Sequence, residues 1–206
     1  MLYRLRSPSR LCPQVDQPGP PLVGRSLLVV GYMGHKMAAE AYRVRVDDAV
    51  RALEEAGLIG RKPVQLFAPS KVVSERHLVI AFLCAVDAFA TGTNRARRME
   101  VEFIRFLAGA KQISEAIAAV GVRPGQRIVG AVAFSGGSLD PVQLLERVRD
   151  VLGGEAVEGM LATADPVDVA GMLGITEDVI GSIPSSEGVS REELAVLERI
   201  AVLRIQ

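Results

Sequence analysis

Three arginines in the segment from Thr91 to Arg98 carry the clearest chemical signal in the chain. Arg95, Arg97 and Arg98 fall at the start of a predicted helix over about residues 94 to 108. Because a helix N-terminus already carries about half a positive charge, each arginine placed there is opposed by up to ~1 kcal/mol. Guanidinium groups beside unpaired backbone N–H groups are suited to binding a phosphate. The segment therefore predicts a phosphate-binding surface.

A structural interpretation of the same residues stays open. Arg98 and Arg105 have helical spacings that allow ion pairs with Glu102, and Arg97 would then face water. Surface charges of this kind change stability little. The predicted helix is amphipathic, so Glu102 and Arg105 are expected on its solvent face, opposite an apolar face that includes Phe103.

Neighbouring residues allow the same two interpretations. His77, near the start of the preceding predicted helix, is typical of a partly buried structural histidine, and Lys71 and Arg76 are typical of solvated charges. The carboxylate pair Glu100 and Glu102 indicates a solvated helix face. None of these residues by itself indicates catalysis.

Patterns for catalysis, metal binding or cofactor binding are weak. Two cysteines and two histidines lack the spacing of zinc ligands, and Cys84 lies in the middle of an apolar predicted helix, where a thiol is usually inert. The loop over residues 134 to 138 follows a predicted strand, but it lacks the lysine of a P-loop and the third glycine of a dinucleotide site. We therefore expect a binding module with no metal and no small-molecule cofactor, and an enzyme that uses this loop is a distant alternative.

Composition sets the class of protein. The 206 residues are 49% hydrophobic and 23% charged, as in one globular domain. Lys plus Arg and Asp plus Glu both number 24, so any contact with nucleic acid must come from a local basic face. The longest apolar run, Leu78 to Ala90, is too short for a bilayer span of about 20 residues. With no secretory signal and few cysteines, the sequence predicts a cytoplasmic protein without a membrane segment.

The predicted elements form an α+β domain. Residues 1–22, which hold five prolines, are expected to form a tail, and residues 23–206 a single domain. Strands are predicted at 27–30, 42–46, 64–67, 127–134 and 157–162, and helices at 47–56, 75–90, 94–108, 111–120 and from Asp140, Asp165, Thr176 and Ser190 onward. The β-α-β order around Asp140 predicts a crossover. We therefore expect a small mixed β-sheet packed against a helical subdomain.

Several short motifs in a fixed order resemble one known family. They are Glu75-Arg76-His77-Leu78, Gly92-Thr93-Asn94-Arg95-Ala96, the run from Leu107 to Ile117, and Leu173-Gly174-Ile175-Thr176 with the run from Leu197 to Leu203. Together they resemble the Cgi-type subunit of the KEOPS complex, in its archaeal members. The resemblance covers about residues 25 to 206.

The resemblance implies an α+β domain without catalytic activity of its own. It implies binding to the kinase-like ATPase subunit of the complex, and recruitment of tRNA by its single-stranded 3′ CCA end for threonylcarbamoyl-adenosine modification. The site residues it implies are His77, Asn94 and Arg95, with Lys71, Arg76, Arg97 and Arg98 as neighbours. Archaeal relatives commonly have an aliphatic residue where Arg95 stands, so an apolar contact would become a cationic one.

A second class of function is a pure protein-interaction module that regulates a kinase without touching RNA. In that case the basic segment would be a solvated surface, and substitutions at Asn94, Arg97 or Arg98 would be silent. Either class requires an exposed apolar patch for the kinase-like partner. The sequence does not indicate which helix face supplies it.

Overall fold

The computed structural model describes residues 27–135 and 139–204. The predicted tail, residues 1–22, and part of the loop over 134–138 lie outside them. The strands are β1 (Leu28–Tyr32), β2 (His35–Arg43), β3 (Val64–Phe67), β4 (Ile128–Phe134) and β5 (Glu155–Ala156). The helices are α1 (Ala49–Glu55), α2 (Glu75–Ala90), α3 (Met99–Leu107), α4 (Ile113–Val120), α5 (Pro141–Leu152), α6 (Pro166–Met172), α7 (Glu177–Ser182) and α8 (Arg191–Leu203), with a short 3-10 turn at Pro69–Lys71.

The five strands form one sheet in the order β1-β2-β4-β3, and the short β5 also pairs with β2. Every described strand pair is antiparallel, so the α+β class is confirmed but the expected mixed sheet is wrong. The reason lies in the crossover through α5. β4 and β5 run in the same direction, but both pair with β2, which lies between them, so they do not bond to each other.

The β1–β2 hairpin turns at Met33 and Gly34. Both residues have positive φ, 48° and 79°, as a two-residue hairpin turn with the twist of the strands requires. The hairpin pairs Tyr32 with His35. β2 therefore begins at His35, well before the start of the strand predicted over 42–46, and it ends at Arg43, so the two overlap only at Tyr42 and Arg43.

The predicted strand over 157–162 is wrong. Pairing with β2 stops at Ala156, and the next backbone bond is donated by Val157 N–H to the carbonyl of Ala41 at 2.9 Å. Leu161 is then buried in the hydrophobic core instead of continuing a strand. The apolar composition of residues 157–162 therefore reflects packing in the core and not a strand.

Helices cover both faces of the sheet. On one face α2 and α3 pack over Met37, Val132 and Phe134, and α8 packs against α2 in the same core. The ring of Phe134 lies 5.4 Å from that of Phe103 and 6.0 Å from that of Phe82, measured between centroids. α2 is buried along most of its length, as its almost uniformly apolar sequence predicts.

On the opposite face α1 and α5 enclose a second core around Tyr42 and Val129. The Tyr42 hydroxyl lies 2.8 Å from the Glu40 carboxylate and 3.1 Å from the carbonyl oxygen of Leu145 on α5. We expected the sheet to pack against one helical subdomain. The structure instead has a layer of helices on each face of the sheet.

Gly130 on β4 lets the side chain of Phe67 on β3 lie directly against the backbone of the neighbouring strand. It pairs with Phe67, and a Cβ atom at this position would lie 2.3 Å from the Phe67 ring. We expect Gly130→Ala to lower the free energy of unfolding by about 1 to 3 kcal/mol, because the ring must shift within a packed core. The measurement is urea denaturation. Gly171→Ala is the matched control, since no atom outside the neighbouring residues and backbone of α6 lies within 4 Å of its added Cβ, and equal stability of the two variants would contradict the prediction.

Candidate nucleic-acid interface

The connection from α2 to α3 is a loop over residues 91–98, because α3 begins at Met99 and Arg98 is its N-cap. The predicted start of this helix at residue 94 is therefore wrong. Glu102 explains the loop: its Oε2 accepts the backbone N–H of Arg95 at 3.1 Å and that of Ala96 at 2.7 Å. Arg95 and Arg97 precede the helix and Arg98 is its N-cap, so none of the three arginines lies in the first turn of α3.

Glu102 and Arg105 form a buried ion pair. Glu102 is 0% exposed and Arg105 is 3% exposed, so the prediction that both face solvent is wrong. Their expected pairing is confirmed, with Glu102 Oε1 accepting from Arg105 Nε at 2.9 Å and from Nη2 at 2.5 Å. The Arg105 guanidinium also lies 4.2 Å above the Phe106 ring. A carboxylate can be buried when it pairs with a cation and accepts hydrogen bonds from two backbone N–H groups. The pattern of hydrophobic residues in the sequence does not reveal such partners.

Arg98 is engaged by protein acceptors. Its Nε lies 2.5 Å from Glu100, and its Nη groups donate to the carbonyl of Lys62 at 2.6 Å and to that of Gly60. The predicted pairing with Glu102 is thus replaced by pairing with Glu100. Glu100 is 4% exposed, and burial raises the pKa of its carboxyl while Arg98 lowers it. Arg98 connects the loop to residues 60–62.

Asn94, Arg95 and Arg97 are the predicted residues that stay accessible on the loop. Asn94 is half-buried, and its Nδ2 donates to the carbonyl of Ala96 at 2.9 Å. Arg95 is exposed and donates from Nη1 to the carbonyl of Lys111 at 3.4 Å. Arg97 is exposed and has no ion pair or side-chain hydrogen bond within the residues that the structure describes.

His77 does not reach the surface. It is 0% exposed, Nε2 donates to the carbonyl of Leu107 at 2.9 Å, and Nδ1 accepts the N–H of Val73 at 3.4 Å. Burial lowers the pKa of the ring to about 4, against the opposing effects of Leu107 and Glu193. The structural interpretation of His77 is correct, and burial is deeper than the partial burial predicted. In this structure His77 is not available to an RNA base.

Lys71 and Arg76 lie away from the loop. Arg76 is exposed near the N-terminus of α2 and pairs with Glu193 on α8 at 3.2 Å. α2 has 16 residues and is therefore about 24 Å long, so Arg76 and Arg95 lie near its opposite ends. Lys71, also exposed, lines a separate hollow with Arg123 and Gln126. The structure thus divides the predicted set into two regions.

A cavity of about 290 Å³ adjoins the loop and contains arginines that sequence reasoning missed. Its polar lining comes from Thr93, Arg95, Arg105 and Arg204, and its apolar lining from Ala88, Phe106 and Leu203. Arg204 follows α8 directly. One signal was available in the sequence: Asp87 interrupts an apolar helix, which indicates a cationic partner, but not which one.

Arg204 joins the end of α8 to the end of α2. Its Nε lies 2.6 Å from Asp87 Oδ2, and its Nη2 donates to Thr91 Oγ1 at 2.7 Å. The C-terminal ends of α2 and α8, which are distant in sequence, thereby lie on either side of one cationic cavity. The cavity brings together three arginines with two nearby carboxylates, Glu102 and Asp87, so it retains positive charge suited to an anion.

Three further observations bear on the other predicted chemistry. Cys84 is buried, and burial raises the pKa of its thiol to about 11, so little thiolate forms at neutral pH. Among the described residues, no helix combines the length and apolar character needed to cross a membrane. Over the same residues, no group of three or more His, Cys, Asp and Glu side chains could hold a metal ion.

Comparison with known proteins places these observations in a family. The sequence profile described as "Kinase binding protein CGI-121" matches residues 46–202. A protein named "KEOPS complex subunit Cgi121" from Pyrococcus abyssi (strain GE5 / Orsay) is 36% identical over 76 residues, which are 37% of this chain and 42% of that protein. The alignment therefore spans less than half of the relative. Because the profile match covers most of the chain, the resemblance is confirmed, and the protein belongs to the CGI-121 family of kinase binding proteins.

Proposed function

We propose that this protein is a non-catalytic subunit of a KEOPS complex. It binds the kinase-like ATPase subunit and recruits tRNA by its 3′ CCA end for threonylcarbamoyl-adenosine modification. Membership of a family described as kinase binding supports the first role. The name of the archaeal relative supports the complex.

The cationic loop beside the Arg95–Arg105–Arg204 cavity is the observation that carries the RNA role. Arg97 has no protein partner within the described residues, and Arg95 has a single long bond, so both guanidinium groups can turn to phosphates. The cavity of about 290 Å³ gives a splayed nucleotide room beside this cationic edge. Proteins read single-stranded RNA ends in this manner, by phosphate contacts and by contacts to unstacked bases.

Asn94 supplies a candidate base contact. Its amide group donates to the carbonyl of Ala96, which holds the side chain in one orientation and leaves its oxygen as an acceptor for a base. Arg98 positions the loop through its bonds to residues 60–62. Lys71 and Arg76 would meet only a more distant part of the tRNA, because they lie away from the loop.

The test compares intact tRNA with tRNA lacking the 3′ CCA, each titrated with the purified protein at low and raised salt. We expect trimming to abolish most of the binding. The double variant Arg95→Gln/Arg97→Gln should weaken binding at least ~10-fold and lower the salt slope by about 1.4, since two phosphate contacts to a single strand are lost. The matched control is Arg45→Gln/Arg51→Gln, which removes two arginines with side chains 75% and 74% exposed elsewhere on the surface.

The second candidate is the pure protein-interaction module. It is favoured by one observation: Arg76, Arg98 and Arg105 already have carboxylate partners in the protein. Equal binding of intact and trimmed tRNA, or equal loss in the RNA variant and its control, would reject 3′-end recruitment and leave this module as the function.

A further inference from the structure

The two strands at the ends of the sheet differ in exposure. In the order β1-β2-β4-β3, both β1 and β3 have one edge without a strand partner among the described residues. Three of the four residues of β3 are buried, and Pro63, which cannot donate a hydrogen bond, precedes the strand. None of the five residues of β1 is buried. β1 therefore forms the open edge of the sheet.

β1 lacks the features that usually protect an edge strand. Its five residues include no charged side chain and no proline. The strand pairs with β2 in continuous register from Leu28 opposite Ala39 to Tyr32 opposite His35, so no bulge turns it away from a neighbour. A regular, apolar and uncharged edge strand is suited to pairing with a further strand.

The residues of β1 fit a second copy of the same strand. When two copies pair antiparallel about a two-fold axis at Val30, Val29 of each copy lies opposite Gly31 of the other. Val29 is 38% exposed, and the glycine opposite it leaves room for its side chain. The same register places Leu28 opposite Tyr32, which gives an apolar cross-strand contact at each end of the pair.

Opposite charges lie at the two ends of this edge. β4 occupies the other edge of β2 from Met37 to Arg43, so β5 lies on the same edge of β2 as β1. The β5 end carries Glu155 and, after the strand, Glu158, both exposed, whereas the β1–β2 hairpin carries the exposed Lys36. Antiparallel pairing brings the hairpin of each copy towards the β5 end of the other, so the two charges attract.

We propose that the outer edge of β1 pairs antiparallel with the same edge of a second copy of this chain. The two five-stranded sheets then join into one continuous sheet. Met33, which is 60% exposed at the hairpin turn, lies towards β5 of the other copy and is covered there. Backbone hydrogen bonds supply the affinity, and the charged ends favour one register. Because the contact uses the same surface on both copies, it closes at a dimer.

Sedimentation of the full chain over roughly 1 μM to 1 mM measures the Kd of this dimer. We expect Val29→Lys to raise the Kd at least ~10-fold, because a lysine on an edge strand opposes the approach of a second strand. Ile117→Lys is the matched control, since Ile117 on α4 is 48% exposed and lies outside the sheet. Urea denaturation of both variants checks that each is folded.

A charge exchange tests the orientation of the two copies. We expect Lys36→Glu and Glu158→Lys each to weaken the dimer, and the double variant to regain most of the affinity, because the attraction is then reversed in sign at both ends. Amide hydrogen exchange gives a second measurement. Exchange in β1 should slow as the protein concentration rises, while exchange in β3 should not change.

Three outcomes would overturn the proposal. A chain that stays monomeric over the whole range has no such dimer. Equal Kd values for Val29→Lys and Ile117→Lys would place the contact between copies on another surface. If the chain is monomeric and Val29→Lys instead weakens its binding to the purified kinase-like subunit, the occupant of the edge is a strand of that protein and not a second copy.

Discussion

Replacing Glu102 with alanine is expected to lower the free energy of unfolding by about 3 to 5 kcal/mol. The substitution leaves the Arg105 guanidinium, which is 3% exposed, without its carboxylate partner in the protein interior. It also removes the acceptor for the N–H groups of Arg95 and Ala96. A buried charge without a partner is among the most costly defects in a folded protein.

Urea denaturation at neutral pH tests this, with Glu115→Ala as the control. Glu115 is an exposed glutamate on α4, so its loss should change stability by no more than about 0.5 kcal/mol. The double variant Glu102→Leu/Arg105→Leu should recover part of the loss, because it removes the unpaired charge but leaves the two N–H groups without Glu102. The buried ion pair is refuted as a stabilising contact if Glu102→Ala unfolds at the same urea concentration as the control.

Lowering the pH from 6.5 to 4 is expected to reduce stability by roughly 3 kcal/mol through His77 alone. The folded pKa of His77 is about 4, whereas the ordinary value is 6.5. Between these values the unfolded chain binds a proton that the folded protein does not bind, so unfolding is favoured as the pH falls. The physical cause is burial of the ring away from water, which disfavours its charged form. A proton added at Nδ1 would in addition face the N–H of Val73.

The measurement is the free energy of unfolding at pH 7 and pH 4.5 for the unaltered protein, His77→Gln and His35→Gln. His77→Gln will be less stable at pH 7, since it alters the bond to the Leu107 carbonyl, but its stability should fall less between the two pH values. His35→Gln serves as the control. Because His35 is exposed at the start of β2, this substitution should leave the pH dependence of the unfolding free energy unchanged. Equal pH dependence in all three proteins would contradict a low pKa for His77.

Local signals in the sequence predicted many of the elements. Asp140 caps α5 by accepting the N–H groups of Val142 and Gln143, and Ser190 caps α8 by accepting that of Glu193. These bonds join residues two or three positions apart, so residue type and spacing are enough to predict them. Glu193, three positions after Ser190, could bond back to the start of its own helix, but its side chain accepts a hydrogen bond from Arg76 on α2.

The start of α3 shows where local signals end. Helical periodicity extended the helix back to residue 94, because nothing in the spacing shows that Glu102 folds back to bind the backbone of Arg95 and Ala96. The same pattern assigned Glu102 and Arg105 to solvent. A hydrophobicity pattern classes every charge as exposed, whereas a paired and hydrogen-bonded charge can be buried.

The family, the α+β class, the position of β3, and the basic segment with Asn94, Arg95 and Arg97 follow from the sequence by itself, since they depend on residue types and short spacings. The tertiary structure alone decides which of the basic residues are available. It buries His77 beneath Leu107, engages Arg98 with residues 60–62, and brings Arg204 to the end of α2. These arrangements join residues that are distant in the chain, and contacts of that kind form only when helices and sheet pack together.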